Sequence, residues 1–156
     1  PFASMMFFYL GFVGGCSGST AGGLKIFRFQ VAYILLKANL RQLIHPRAVI
    51  KQHYNRHRLD EDIVRSLITF SFFFTITIGL IALGLALIGL DWVTALTGAA
   101  TAVCNVGPGL GPIIGPVGNF STLPDAAKWL LTIGMLLGRL EILTVLVLLT
   151  KAFWKH

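Results

Sequence analysis

Two glycine-rich runs interrupt a chain that is otherwise apolar enough for a membrane. The runs cover residues 14–23 and 105–111, and each follows an apolar stretch of only about 11 to 13 residues. A helix of that length rises about 20 Å and cannot cross a hydrocarbon core of about 30 Å. Backbone without hydrogen bonds is tolerated at that depth only where it is buried in protein or lines a water-filled path. The runs therefore predict a membrane protein that conducts ions, because backbone carbonyls can replace an ion's hydration shell.

Composition supports the membrane class. Of the 156 residues, 55% are hydrophobic and 12% are charged, whereas about 25% are charged in a typical soluble domain. The net charge is +7, and the basic residues lie between apolar segments rather than along one soluble face. This pattern predicts membrane topology and not nucleic-acid binding. Cys16 and Cys104 cannot form a disulfide framework. We expect both to be small buried residues, with a mutual bridge or a reactive thiol as the alternatives.

Charge and length together predict the topology. Residues 63–90 and 128–150 are each long enough to cross, and the basic residues between 37 and 58 and at the C-terminal end belong on the cytoplasmic side. The two short helices then enter from the outside and return through the glycine runs. The predicted fold class is an all-α membrane protein with helix–pore-loop–helix repeats, re-entrant half-helices and glycine-rich filter segments.

The order of short helix, glycine run and longer helix occurs twice, so the two halves of the chain are predicted to be two copies of one repeat. Residues 1–58 would form a copy whose leading helix lies upstream of Pro1 in a longer protein, with a pore helix, a filter, a second helix and a cytoplasmic basic loop. Residues 59–156 would form a copy that includes its leading crossing helix. The predicted bounds are pore helices over 2–12 and 92–104, filters over 14–19 and 105–109, and crossing helices over 63–90 and 128–150.

The residue types in the runs indicate which ion they bind. Neither run contains Asp or Glu, so backbone carbonyls are the main ligands, with help from Ser17, Ser19, Thr20 or Asn105. Uncharged oxygen ligands near the negative end of a short helix favour a weakly hydrated monovalent cation. The alternative is that the glycines only allow close helix packing, which is the role we expect for Gly134 and Gly138.

Arg139 and Lys25 are the charged residues of most interest. Arg139 lies in the middle of the predicted last helix, where a charge costs about 2.5–3.5 kcal/mol, and Glu141 does not share its face. We expect Arg139 to face the ion path as a positive barrier or gate, with a helix-helix salt bridge to a residue missing from this fragment as the alternative. Lys25 follows the first run and is a second candidate for the gate, the alternative being a side chain that extends toward water.

Two other functions stay open from the residues alone. The chain could be a non-conducting membrane anchor or oligomerisation module. It could also be a nucleotide-binding enzyme, because a glycine-rich loop opens the helix that contains Lys25. Leu24 separates Gly23 from Lys25, however, so the Gly-Lys-Ser/Thr ending of a phosphate-binding loop is absent. We therefore expect transport without covalent catalysis.

Four motifs resemble a known family. They are Gly-Gly-Cys-Ser-Gly-Ser-Thr-Ala-Gly-Gly-Leu-Lys at residues 14–25, His45-Pro46, Asn-Val-Gly-Pro-Gly-Leu-Gly at residues 105–111, and Gly-Arg-Leu-Glu at residues 138–141. Together they look like the C-terminal part of Trk-type potassium uptake proteins, in the Trk/Ktr/HKT superfamily. The resemblance covers essentially the whole chain.

The resemblance implies four repeats around one ion path, of which this chain would hold the fourth and most of the third. The first two repeats would lie upstream. Gly18 and Gly107 would bind potassium through backbone carbonyls, and the neighbouring carbonyls would come from Cys16, Ser17, Asn105 and Val106. Arg139 would face the pore below the filter. The segment after Gly23, which includes Lys25, would belong to the helix that gates the path.

The resemblance also implies partners and a location. It predicts a homodimer in the bacterial inner (plasma) membrane, in contact with lipid and with a cytosolic nucleotide-binding regulatory subunit. The basic segment 37–58 is a candidate contact for that subunit. Potassium would be the transported ion, and neither a cofactor nor a nucleic-acid partner is expected. Passive and ion-coupled uptake both stay open.

Overall fold

The computed structural model describes residues 2–16, 22–45, 53–54, 57–58 and 61–140. Within these ranges the regular secondary structure is helical, apart from a small hairpin in which His53–Tyr54 (β1) pairs antiparallel with His57–Arg58 (β2). The helices are α1 (Phe2–Val13), α2 (Ile26–Ile44), α3 (Glu61–Leu87), α4 (Trp92–Cys104) and α5 (Asp125–Arg139), with a 3-10 turn at Phe120–Thr122. The helical class predicted from the sequence is confirmed.

Local chemistry sets the ends of α2 and α4. The C-cap of α2, His45, has φ −127° and ψ 80°, which lies outside the α-helical region that a following proline disfavours. The pair His45-Pro46 itself predicts a helix end, and α2 ends at Ile44. The carboxylate of Asp91 accepts a hydrogen bond from the Val93 N–H at 3.2 Å, so Asp91 caps α4, as its place directly before an apolar helix predicts.

Three helices differ from their predicted extents. α3 runs from Glu61 to Leu87 rather than over 63–90, because Gly89 and Leu90 lie in the turn before the Asp91 cap. α2 continues to Ile44, so Lys37 and Arg41 lie on a helix rather than in the basic loop expected for them. Both residues extend an amphipathic helix and do not break it. α5 begins at Asp125, three residues before the predicted start at residue 128. Its described part ends at Arg139, and the rest of the crossing predicted to residue 150 lies outside the described residues.

One helix among the described residues, Asp62–Leu87, is long and apolar enough to cross a membrane. Its 26 residues rise about 39 Å along the helix axis. Large apolar side chains on its outer face are 61% to 90% exposed, and they are Ile68, Phe72, Leu80, Leu83 and Leu87. A face of this kind suits lipid or neighbouring helices.

The short helix α4 lies at the centre of the core. α3 packs along one side of it and α5 along another, and ten of its 13 residues are buried. Its small residues allow close approach, since Gly98 lies against the side chains of Ile114, Leu131 and Leu85. Protein therefore surrounds a helix that is too short to cross a membrane, which is the condition under which its end can lie at membrane depth.

The first half of the chain is packed differently from the second. α4 packs along α5, whereas the main helix contact of α1 is with α4 and not with α2. The link between α1 and α2 is closed at its base, because the Leu24 N–H donates to the Phe12 carbonyl and the Ile26 N–H to the Gly15 carbonyl, both at 3.1 Å. The two-copy repeat stays a prediction, since residues 17–21 of this link lie outside the described residues.

Candidate functional site

The second glycine run turns back at the end of α4, and we call residues 105–111 the return segment. Asn105 makes the turn in the left-handed conformation, at φ 55° and ψ 38°. Its N–H donates to the Ala102 carbonyl at 3.1 Å, and the Val106 N–H donates to the Thr101 carbonyl at 3.0 Å. This pair of bonds is a Schellman motif. Asparagine is one of the few residues besides glycine that adopts this conformation readily, so the sequence stops the helix here.

A buried hydroxyl anchors the outer part of the return segment. The Leu110 N–H donates to Thr97 Oγ1 at 3.2 Å, while the Thr97 hydroxyl donates to the Val93 carbonyl at 2.7 Å. A Cβ placed on Gly111 would lie 3.7 Å from Thr94 Oγ1. The segment therefore runs back along α4 from its last residue to its first turn, a distance of about 15 Å.

The part of the return segment next to the C-terminal end of α4, residues 105–108, has carbonyl groups that lack hydrogen-bond donors. The carbonyl oxygens of residues 105–108 accept no hydrogen bond from any residue that the structure describes. Gly107 has φ +105°, and a Cβ placed there would meet nothing within 4 Å, so it borders open space. Val106 beside it is 39% exposed. Consecutive unpaired carbonyls beside open space are an arrangement that can bind a cation that has lost its water.

Two glycines from distant segments cover the last two carbonyls of α4. A Cβ on Gly138 of α5 would overlap the Val103 carbonyl oxygen, and a Cβ on Gly22 would overlap the Cys104 carbonyl oxygen. A Cβ on Gly134 would lie 2.8 Å from Ile81 Cδ1. The packing role expected for Gly134 and Gly138 is confirmed. The C-terminal end of α4, which we call its inner end, is thus the place where α5, the return segment and the end of the first run meet.

The described glycines of the first run are packing residues as well. A Cβ on Gly14 would lie 2.6 Å from the Gly22 carbonyl oxygen, and a Cβ on Gly23 would lie 3.1 Å from the Gly11 carbonyl oxygen. These positions contrast with Gly107, which faces open space. The predicted ligands Ser17 and Gly18 lie outside the described residues, so a potassium site at Gly18 stays a prediction.

The two cysteines do not have the same environment. Both are free, so the alternative of a mutual bridge is wrong. Cys104 is buried as expected because it ends α4, which protein surrounds. Cys16 is exposed, which corrects the expectation of burial. It lies beyond the end of α1, a helix whose own side chains are largely exposed.

Arg139 ends the described part of α5, directly after Gly138. Because Gly138 touches the Val103 carbonyl, the backbone of Arg139 lies near the inner end of α4. Its side chain is exposed and makes no ion pair with the residues that the structure describes. The alternative salt bridge was expected with a residue outside this chain, so the barrier and the salt bridge both stay predictions. Glu141 lies outside the described residues.

Lys25, the second candidate for the gate, lies beside α3. It has φ 62° just before α2, and it lines a cavity of about 430 Å³ together with Arg28 and Asp62. The Arg28 guanidinium carbon lies 3.6 Å from the centroid of the Phe70 ring of α3. This cation–π contact holds the start of α2 against the N-terminal half of α3.

Thr97 is a site residue that the sequence-based prediction missed. Its signal was present, because Thr94, Thr97 and Thr101 are spaced three and four residues apart in a short apolar helix. That spacing places hydroxyls on one face of a helix. All three are buried, and no buried side-chain polar atom in the described part of the chain lacks a hydrogen bond.

Comparisons with known proteins agree with this architecture. The family model TrkH, described as a cation transport protein, matches residues 1–155. The chain is 66% identical to the Trk system potassium uptake protein TrkI of Halomonas elongata over 154 residues. It is 36% identical to the Trk system potassium uptake protein TrkH of Vibrio parahaemolyticus, also over 154 residues. Each alignment covers 99% of this chain and 31% of the relative.

A solved structure has the same fold. The crystal structure of the potassium transporter TrkH from Vibrio parahaemolyticus matches with a TM-score of 0.87 and 35% sequence identity. The match covers 99% of this chain and 32% of that one. The chain therefore spans about a third of the length of the relatives it matches.

Proposed function

Because this chain belongs to the TrkH family of cation transport proteins, we propose that it forms one part of a potassium path across a membrane. The observation that carries the proposal is the row of carbonyls at residues 105–108 that accept no hydrogen bond from the described residues. They follow a buried half-helix and border open space at Gly107. A cation that sheds its water can bind such oxygens in place of its hydration shell.

In this proposal the carbonyls of Asn105, Val106 and Gly107 coordinate potassium. The return segment contains no carboxylate, and uncharged oxygens suit a monovalent cation better than a divalent one. The partial negative charge at the C-terminal end of α4 adds a favourable field. Cys16, Ser17 and Gly18 would supply the corresponding carbonyls of the preceding repeat, and the exposure of Cys16 is compatible with that role.

Two features below the return segment are proposed to control flow. Arg139 would act as a positive barrier, since its side chain is exposed near the inner end of α4. The segment from Gly22 to Lys25 would act as part of the gate. Gly22 lies against the Cys104 carbonyl, and Lys25 lines a cavity together with residues of α3. A movement of this segment would therefore change the surroundings of the inner end of α4.

The wider assembly belongs to the same proposal. Family membership supports a multi-pass protein of the bacterial inner membrane, a homodimer, and a cytosolic nucleotide-binding regulatory subunit. Upstream repeats would complete the ring around the path, since the relatives are about three times as long. Lys37 and Arg41 on α2 and Arg58 on β2 are described residues of the basic segment proposed to meet the regulatory subunit. Transport by this route needs no covalent step.

A chimera tests the function. In what we call the TrkI chimera, residues 1–156 replace the matching segment of the 66% identical Halomonas relative. We expect it to restore growth at low potassium to a bacterial strain without potassium uptake, and to take up a rubidium tracer. Normal membrane levels without any uptake would overturn the proposal and favour the non-conducting anchor.

Thr97 offers a test of how the return segment is held. Thr97→Val keeps the side-chain volume but leaves the Leu110 N–H without its acceptor, which costs about 1–3 kcal/mol. We expect the TrkI chimera with this change to melt at a lower temperature in detergent and to prefer potassium over sodium less strongly. Thr97→Ser keeps the hydroxyl and is the matched control. Equal melting and equal preference in the two variants would exclude the anchoring role.

A further inference from the structure

We infer that the side chain of Asn105 is a positioning residue, which sets the place of α5, and with it Arg139, relative to the carbonyls of the return segment. The inference rests on the proposed function, because its effect is read in ion selectivity. It concerns the amide group of Asn105, whereas the proposed ion ligand is the backbone carbonyl of the same residue.

One hydrogen bond carries the connection. Asn105 Nδ2 donates to the Met135 carbonyl of α5 at 3.1 Å, across 30 residues of sequence. Among the described residues it is the one hydrogen bond that joins the return segment to α5. Met135 lies one helical turn before Arg139, so the bond fixes α5 close to the charge.

The surroundings of Asn105 leave its side chain little room for another conformation. A Cβ on Gly138 would lie 3.1 Å from Asn105 Nδ2, and a Cβ on Gly22 would lie 3.3 Å from Asn105 Cβ. Glycines from α5 and from the first run therefore lie on both sides of this side chain. The amide is at the junction where the return segment, α5 and the proposed gate segment meet.

Few residue types satisfy both demands of this position. The backbone is left-handed, which glycine, asparagine and aspartate tolerate best. A side chain can bond to the Met135 carbonyl only through a donor, which an asparagine amide supplies while an ionised aspartate and glycine do not. Asparagine thus combines the turn that ends α4 with the bond that holds α5.

The physical consequence is electrostatic. Interactions between charges are strong where water is scarce, and they change steeply with distance at close range. If the bond to Met135 is lost, α5 can shift against the return segment and move the Arg139 charge relative to a bound cation. Selectivity and flux should then change although the backbone ligands themselves are intact.

Two substitutions separate the amide from the backbone turn. Asn105→Gly keeps the left-handed turn and removes the donor, whereas Asn105→Ala removes the donor and also strains the turn. In the TrkI chimera we expect both variants to lower the potassium-to-sodium uptake ratio, by about two- to tenfold for the loss of one hydrogen bond. Asn119→Gly, a change in an exposed loop, is the matched control and should keep the ratio.

The outcome for Asn105→Gly decides the inference. A normal ratio in Asn105→Gly together with a lowered ratio in Asn105→Ala would show that only the turn matters, and would overturn it. If Asn105→Gly does not reach the membrane, Asn105→Asp replaces it, because it keeps the size and the turn but lacks the donor. A normal ratio in Asn105→Asp would then overturn the inference equally.

A double-variant cycle tests whether Asn105 acts through Arg139. Arg139→Ala alone should raise flux, because it removes the barrier. In the Arg139→Ala background, Asn105→Gly should have little further effect on flux, since no charge is left to position. Independent, multiplying effects would contradict the inference while leaving the proposed function intact. The proposed function has its own tests, which are uptake by the TrkI chimera itself and the selectivity of Gly107→Ser.

Discussion

Replacing Gly107 by serine is expected to remove most of the preference for potassium over sodium in the TrkI chimera. Gly107 has φ +105°, a conformation that costs a residue with a side chain about 1–3 kcal/mol. The backbone can relieve this strain by rotating the peptide units on either side, which turns the carbonyls of Val106 and Gly107 away. A change of that size corresponds to about 5- to 150-fold in a binding ratio.

Packing cannot explain such a loss, because a Cβ at Gly107 would meet nothing within 4 Å. Gly79→Ser is the matched control, since a Cβ there also meets nothing within 4 Å and its backbone is ordinary helix in α3. Competing uptake of sodium and rubidium tracers, at equal membrane levels, measures the ratio. If Gly107→Ser matched Gly79→Ser, carbonyl coordination at this residue would be untenable.

The second large effect is expected on folding, from Gly138→Ala. The added Cβ would overlap the Val103 carbonyl oxygen, which belongs to the backbone of a buried helix and cannot rotate away. α5 would have to move off α4, which also breaks the bond from Asn105 to Met135 and loosens the contact of Gly134 with Ile81. Overpacking of this kind typically costs about 1–3 kcal/mol, and more where backbone must shift.

The measurement is the yield of monodisperse protein after detergent extraction, together with its melting temperature. Gly79→Ala is the control, and it should be neutral or slightly stabilising because alanine is the better helix former. We expect Gly138→Ala to give much less folded protein than Gly79→Ala. Similar yields and melting temperatures would mean that α5 does not pack against the end of α4 as described.

Helix bounds were predictable where an end has its own local signal. The short helices predicted at residues 2–12 and 92–104 are found at Phe2–Val13 and Trp92–Cys104. A capping carboxylate at Asp91 and the glycine runs mark those ends in the sequence itself. The extension of α2 to Ile44 was not predicted, because the charges of Lys37 and Arg41 were taken to indicate a loop. Lysine and arginine are nevertheless good helix formers.

The candidate site was only partly predictable. Asn105, Val106 and Gly107 could be singled out, since a glycine run after a helix too short to cross is unusual in an apolar chain. The different roles of the glycines could not be predicted. Gly22 and Gly138 serve to cover carbonyls of α4, and Gly107 borders open space, although all three are the same residue type.

The amino-acid sequence by itself determined the membrane class, the two short helices and the uncharged ligands, because each depends on length, composition or neighbours along the chain. Only the tertiary structure decided that α4 is enclosed, that Thr97 holds Leu110, and that Asn105 bonds to Met135. These contacts join residues 13 and 30 positions apart. They exist because α3, α5 and the return segment bury most of α4, and no local pattern of residues encodes that burial.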